Sequence, residues 1–208
     1  IRVAGNPDLS SHAAYRDGWF EIQDAGSQLV AALVDARPGM TVADVCAGAG
    51  GKTLALADQM AGKGTLHALD IGKVRLDQLE KRARRAGVRN INQRVADMRR
   101  SAPDDLIARM DRVLVDAPCT GTGTWRRNPE NRWRLQPDII DDYCRLQKEI
   151  LANAAKLVTS GGRLIYATCS VLPAENVTVI TEFLTAHQEF QLISIDEVLS
   201  GSPTAGAN

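Results

Sequence analysis

The sequence predicts an α/β fold built on one doubly wound, mostly parallel sheet, and three observations carry that prediction. Short apolar, β-rich runs alternate with segments of helical periodicity along nearly all of the 208 residues. A glycine-rich stretch directly follows the first complete run, at Gly48–Gly51. Loops carrying acids or cysteines follow the later runs. Parallel sheets of this kind are covered on both faces, and they bind ligands at the carboxyl ends of their strands.

The elements follow in order. Gly26–Ala36 reads as a leading helix, Thr41–Val45 as the first strand and Thr53–Met60 as its helix. Thr65–Leu69 is a strand, followed by a helix over Val74–Ala86 with Leu76, Leu79, Ala83 and Ala86 at helical spacing. Ile91–Val95 is the third strand, a short helix lies near Asp104–Met110, and Arg112–Asp116 is the fourth strand. A long helix near Asp138–Val158 stops at Gly161-Gly162, a common helix terminator. Arg163–Ala167 is the fifth strand. Pro173 opens another helix, with Val177, Ile180, Phe183 and Leu184 on one face. Phe190–Ile195 is expected as a sixth strand. The expected division is a lead-in segment over 1–36, the main domain over 37–200, and a small polar tail over 201–208 that is disordered.

Composition narrows the class. No apolar run approaches the roughly 20 residues needed to span a bilayer, so no membrane association is expected. The start lacks the basic flank and apolar core of a signal peptide, and it lacks Met, so the chain reads as a piece of something longer. Cys46, Cys119, Cys144 and Cys169 are far apart, with no CxxC and no Cys/His cluster. That argues against a metal site and against a disulfide framework, and it points to a reducing cytoplasm. A monomer is expected. The formal net charge is zero but unevenly spread: residues 71–100 hold ten Lys or Arg against three acids. Arg126, Arg127, Arg132 and Arg134 follow, whereas nothing from Pro173 onward is Lys or Arg. Arg75, Arg82 and Arg85 fall along one flank of their helix, at spacings of seven and three. Two basic patches suit a polyanionic partner such as RNA.

The glycine loop runs Asp44-Val45-Cys46-Ala47-Gly48-Ala49-Gly50-Gly51-Lys52-Thr53. A phosphate loop needs a glycine five positions before Gly51, where Cys46 stands. A dinucleotide loop needs a third glycine at position 53, which is Thr. What remains is a loop for S-adenosyl-L-methionine (SAM), in which Cys46, Ala47, Gly48, Gly50, Gly51 and Lys52 pass the amino-acid part of the ligand. Asp70, at the end of the second strand, suits the two ribose hydroxyls. Asp97, after the third, suits the adenine amino group, and Arg75, five residues after Asp70, and Asp116, at the end of the fourth, complete the expected cofactor-binding set. The expected architecture is thus a Rossmann-like class I methyltransferase.

Two further strand ends carry thiols, in Asp116-Ala117-Pro118-Cys119 and in Thr168-Cys169-Ser170. Enzymes that methylate an exocyclic amine usually present an aromatic platform at the first of these loops, and none is present here. Carbon 5 of cytosine explains the thiols. It is too weakly nucleophilic to take a methyl group directly, but a thiolate adding to carbon 6 turns the ring into an enamine. Asp116 is the candidate carboxylate for ring N3. Spacing leaves open which cysteine attacks.

With Gly18-Trp19-Phe20 through Gln23-Asp24-Ala25-Gly26-Ser27-Gln28, the glycine loop, Asp116-Ala117-Pro118-Cys119, Arg126-Arg127-Asn128-Pro129-Glu130, Thr168-Cys169-Ser170 and Glu175-Asn176, the chain resembles the Sun/Nop family of RNA cytosine-5 methyltransferases, in its bacterial ribosomal-RNA (RsmB-like) branch. The resemblance implies Cys169 as nucleophile, Cys119 as the residue assisting product release, Lys52 lining the active site, and ribosomal RNA as substrate. The chain departs from the family at Ala49, where Pro is usual. A last antiparallel strand rich in Phe is expected to be missing after Ile195, and an N-terminal RNA-binding domain is not among these residues. Two alternatives remain beside this reading: a DNA cytosine-5 methyltransferase, and an RNA-binding assembly factor without catalysis.

Overall fold

A computed structural model of the chain describes residues 7–200. Its elements are α1 (Ala13–Arg16), α2 (Ala25–Val34), β1 (Thr41–Asp44), α3 (Gly51–Gln59), β2 (Thr65–Asp70), α4 (Lys73–Arg85), β3 (Ile91–Val95), β4 (Met110–Asp116), α5 (Pro137–Ala155), β5 (Val158–Ala167), α6 (Val177–Ala186) and α7 (Ile195–Ser200). The five strands form one parallel sheet in the order β3-β2-β1-β4-β5. This is the doubly wound, Rossmann-like arrangement of class I methyltransferases, and the sheet has no antiparallel strand among the described residues.

Alternation along the strands assigns each face its helices. Ala43, Val45, Leu69, Val113 and Val115 pack with Ile150, Leu151 and Ala154 of α5 and Val179 of α6. Their neighbours Val42, Leu66 and Leu114 point the other way, onto Ala31 and Val34 of α2 and Leu56, Ala57 and Met60 of α3. Ala68 meets Leu76, Leu79 and Ala83 of α4 on that same side. Each fully buried leucine here contributes about 1.5–3 kcal/mol through removal from water. Helix α2 belongs to this core, so part of the lead-in segment packs as one body with the main domain. Among the described residues, no helix is long and apolar enough to cross a membrane.

Local geometry corrects several sequence expectations. The expected sixth strand at Phe190–Ile195 is absent: residues 190–194 have no regular structure and Ile195 begins α7. A capping box accounts for this. Ser194 N–H donates to Glu197 Oε2, and Glu197 N–H donates to Ser194 Oγ, which starts a helix where the apolar run suggested a strand. Helix α5 stops at Ala155, short of Val158 and of the glycine pair, because the start of β4 recruits the next carbonyls. Lys156 and Leu157 oxygens accept from Ala108 and Met110 at 2.9 Å each. Gly161-Gly162 therefore lies inside β5, at the register shift between Met110 and Arg112. The helix expected near Asp104–Met110 is one tight turn over Asp104–Leu106, ended by Ala108 at φ 53°, and β4 begins two residues early. Val177, expected on the packed face of α6, is exposed, and Val179 is the buried residue. The tail expected over 201–208 lies outside the described residues.

Gly162 permits the β4–β5 register. A Cβ there would lie 2.8 Å from Val158 Cγ1 and 2.9 Å from the Met110 oxygen. Gly162→Ala is expected to destabilise the fold by about 1–3 kcal/mol, the usual overpacking range, measured by urea denaturation. Unchanged stability would show that the bulge relaxes around a methyl group.

Candidate active site

The carboxyl ends of β1, β2, β4 and β5 bring the candidate residues to one edge. Asp70 closes β2 and is 5% exposed. Its Oδ2 accepts Gly48 N–H at 2.8 Å, and its Oδ1 accepts Gly72 N–H at 2.6 Å and Arg75 Nη2 at 2.7 Å. One carboxylate thus joins the glycine loop to the start of α4. Within the loop the two bends differ in purpose. Gly50 sits at φ 84°, and a Cβ there would lie 2.1 Å from Leu79 Cδ1, so the loop packs directly on α4. Gly48 sits at φ 55°, and a Cβ there would meet nothing within 4 Å, which leaves its outer side open. Ala47 N–H anchors the loop on the Leu69 oxygen at 3.0 Å, and the Ala49 oxygen accepts Arg82 Nη1 at 2.7 Å. Burial, together with nearby Asp44 and Asp70, pushes the Cys46 thiol far above its ordinary value. That side chain packs against the core cluster.

Asp44 ends β1 beneath the loop. Its Oδ2 accepts Thr53 Oγ1 at 2.8 Å, while Oδ1 is buried with no partner. Burial raises its carboxyl to about 7; the charge of Asp116 adds to the shift, and Thr53 and Lys52 oppose it. Lys52, from the first turn of α3, reaches across to Asp116 at the end of β4, with Nζ to Oδ2 at 2.6 Å.

The two thiols meet. Cys119 Sγ lies 3.2 Å from Cys169 Sγ. The Cys119 S–H donor lowers the Cys169 thiol to about 7, against burial and the charge of Asp116, with Lys52 also favouring the thiolate. Cys119 moves strongly the other way, because it keeps the shared proton. Cys169 is exposed and Cys119 half-buried. The pair is therefore biased toward a solvent-facing Cys169 thiolate next to a Cys119 proton donor.

Other expected residues are engaged by protein partners. Both oxygens of Asp97 are taken by Arg99, at 2.7 and 2.6 Å, and that pairing holds its carboxyl below the usual range. Arg82 and Arg85, read as phosphate contacts, both pair with Glu21 and are about three-quarters buried. They fasten the lead-in segment to α4 instead of presenting free cations. The sequence reading missed Gln147 beside the thiols, and it took Thr122, Ser170, Glu175 and Asn176 only as parts of motifs. Glu175 is fully buried, which no periodicity reveals in an acid.

These residues fit SAM. A nearly buried carboxylate ends β2 beside a glycine whose outer side is open, and buried Asp44 Oδ1 beneath the loop still lacks a donor. Asp70 and the Cys46–Lys52 loop are the residues that would hold it. No cluster of three or more His, Cys, Asp or Glu suited to a metal occurs among the described residues.

Comparison with known proteins agrees with this geometry. Residues 31–204 match the family model described as 16S rRNA methyltransferase RsmB/F. The chain is 38% identical over 192 residues to a Synechocystis protein named "Probable ribosomal RNA small subunit methyltransferase B", covering 92% of this chain and 43% of that one. Among solved structures, the protein PH0851 superposes with a TM-score of 0.88 at 39% identity, over 92% of this chain and 43% of that chain. NSun6 from Pyrococcus horikoshii, solved with the SAM analogue SFG, gives 0.77 at 28% identity, over 87% of this chain and 46% of that chain. The chain thus spans less than half the length of these relatives.

Two outcomes follow from the strand-end acids. Asp70→Ala should weaken SAM binding by about 1.5–3 kcal/mol, the range for a charge-assisted hydrogen bond, and calorimetry showing unchanged affinity would remove Asp70 from the binding set. Asp44 titrates at about 7 when folded against 3.8 ordinarily, so the native state keeps a proton that the unfolded chain has lost. Its contribution to stability should fall as pH rises from about 4 to about 7 and level off above. Urea denaturation across that window should show a shallower decline for Asp44→Asn, and an equal slope would reject the assignment.

Proposed function

This chain belongs to the 16S rRNA methyltransferase RsmB/F family, and from that premise we propose that it transfers a methyl group from SAM to carbon 5 of a cytosine in ribosomal RNA. The observation that carries the reading is the pair of thiols 3.2 Å apart at the ends of adjacent strands, beside the Lys52–Asp116 pair. An N- or O-methyltransferase has no need of two such cysteines. The catalytic unit is residues 37–200, acting as a monomer in the cytoplasm, with residues 1–36 as its lead-in.

Each residue has a part. Cys169, already biased toward its thiolate, adds to carbon 6 of the ring, forming a sulfur–carbon bond and pushing the electron pair toward N3 and carbon 5. Asp116 attends N3, held in place by Lys52. When bound, SAM supplies an electrophilic methyl group for carbon 5. The carbon-5 proton then passes to the Cys119 sulfur, which has released its own proton to solvent once Cys169 is bonded to carbon; its electron pair reforms the double bond while the carbon–sulfur bond breaks and Cys169 departs as thiolate. Once Cys169 sulfur is bonded to carbon, it no longer competes for the Cys119 S–H, and Cys119 is free to assist this elimination. Buried Asp44 sets the end of β1 through Thr53.

Two measurements test this. Cys169→Ala should abolish methylation and any covalent RNA complex, whereas Cys119→Ala should still attack and then stall, giving a slow band on a denaturing gel that needs SAM. The opposite pattern would make Cys119 the nucleophile. Alkylation of Cys169 by iodoacetamide should speed up with pH through about 7 in the unaltered protein. In Cys119→Ala the midpoint should move up, toward about 8.5, because the S–H donor is gone. A midpoint that stays in place would show that Cys119 does not set the Cys169 thiolate.

A further inference from the structure

Glu175 is a buried carboxylate with no cation paired to it among the described residues. Burying such a charge is unfavourable unless its oxygens are fully hydrogen-bonded, and here they are. Oε1 accepts Thr120 N–H at 2.9 Å and Gln147 Nε2 at 2.9 Å, and Oε2 accepts the Thr120 hydroxyl. Burial pushes this carboxyl up, but hydrogen bonds from Ser170, Thr120 and Gln147 outweigh it and hold the group below the usual range. Gln147, itself fully buried, gives a further N–H to the Pro118 oxygen at 3.0 Å. The residues on both sides of Cys119 are therefore gripped from one buried point.

The next residue grips the other thiol loop. Asn176 Nδ2 donates to the Ser170 oxygen at 3.0 Å and the Leu172 oxygen at 2.9 Å, and its Oδ1 accepts the Thr168 hydroxyl at 2.7 Å. Thr168 and Ser170 flank Cys169. The loops also bond directly, through Gly123 N–H to the Cys169 oxygen and Thr122 Oγ1 to Ser170 Oγ, both at 2.9 Å. Consecutive side chains thus hold consecutive strand-end loops, so a shift in either grip changes the distance between the thiols.

We propose that Glu175 and Asn176 are positioning residues whose joint hydrogen bonding sets the spacing of the Cys119 and Cys169 thiols. Neither touches the reacting atoms. The role deepens the proposed methyl transfer and rests on it for turnover only, because thiol spacing can be read without any RNA.

Dibromobimane, which fluoresces when it bridges two nearby thiols, reads that spacing on the whole chain, with peptide mapping to assign the bridge. The unaltered protein should bridge Cys119 to Cys169. Glu175→Ala should fall most of the way to the level of Cys119→Ala, while iodoacetamide still modifies Cys169 and the melting curve still shows one cooperative transition. Glu175→Gln keeps one acceptor oxygen and should lie between. If Glu175→Ala does not fold, Thr120→Val, which keeps the Thr120 N–H bond and deletes the hydroxyl's contacts with Glu175 and Ser170, decides the matter by reduced bridging. Unchanged bridging in the folded variants would overturn the proposal. In a methylation assay, Glu175→Ala should lower kcat by up to about a hundredfold, the scale of an ångström misplacement, with SAM affinity unchanged. A loss expressed as weaker SAM binding would instead indicate general loosening and reject the positioning role. If the unaltered chain bridges its thiols but methylates no RNA, the functional reading fails and the positioning one stands.

Discussion

The register of β4 against β5 is the constraint on which the site depends. Asp116 pairs with Ala167, so the two strands end level and their loops leave the sheet together. Cys119 lies three residues beyond one end and Cys169 two beyond the other. Parallel strands with successive right-handed crossovers place all such ends on one edge, which is why five separated sequence segments converge. A slip of one residue would turn every side chain of β5 to the opposite face and would also draw the thiols apart. The glycine pair at 161–162 absorbs the mismatch at the far end of β5, where Met110 pairs with Val158 but Arg112 pairs with Arg163. The irregularity is therefore kept away from the end that carries chemistry.

Charge at this edge is arranged by burial as much as by pairing. Asp44, Asp70 and Asp116 end three neighbouring strands, the first two buried and the third partly exposed, and each carboxylate is satisfied differently. Asp44 has one hydroxyl and a raised pKa; Asp70 has two backbone N–H groups and a guanidinium; Asp116 has the Lys52 ammonium. The thiol pair follows the same logic without any cation in contact, since the shared proton favours Cys119 and the charge favours Cys169. This division gives two chemically identical side chains unlike roles.

The basic character that suggested RNA resolves into two populations. Arg75, Arg82 and Arg85 on α4 are occupied by Asp70 and Glu21 and serve the architecture of the cofactor edge. Arg126 and Arg132, in the segment after the Cys119 loop, are exposed, and Arg132 lies over the ring of the exposed Trp133 at 4.3 Å. Exposed cations beside an exposed aromatic suit a nucleic-acid partner better than ion-paired ones do.

Much of this was legible in the sequence. The apolar, β-rich runs of the central strands and the helical spacing of Leu76, Leu79 and Ala83 identified the sheet and its cover, because burial leaves a direct mark on residue order. The glycine loop, Asp70 and the two cysteine loops were also readable, since strand ends in a parallel sheet are local to the chain. Residue order could not separate a strand from a capped helix at Phe190–Ile195, where the Ser194–Glu197 bonds decided, or a helix stop from a strand bulge at Gly161-Gly162. It marked Arg82 and Arg85 as cations but not as partners of Glu21, about 60 residues away in the chain. It could not reveal the buried grip of Glu175 on Thr120 or the 3.2 Å contact between the thiols. Those depend on separations of about 50 residues being closed in space, and only packing of the sheet, with its hydrogen bonds satisfied, determines which distant polar groups meet.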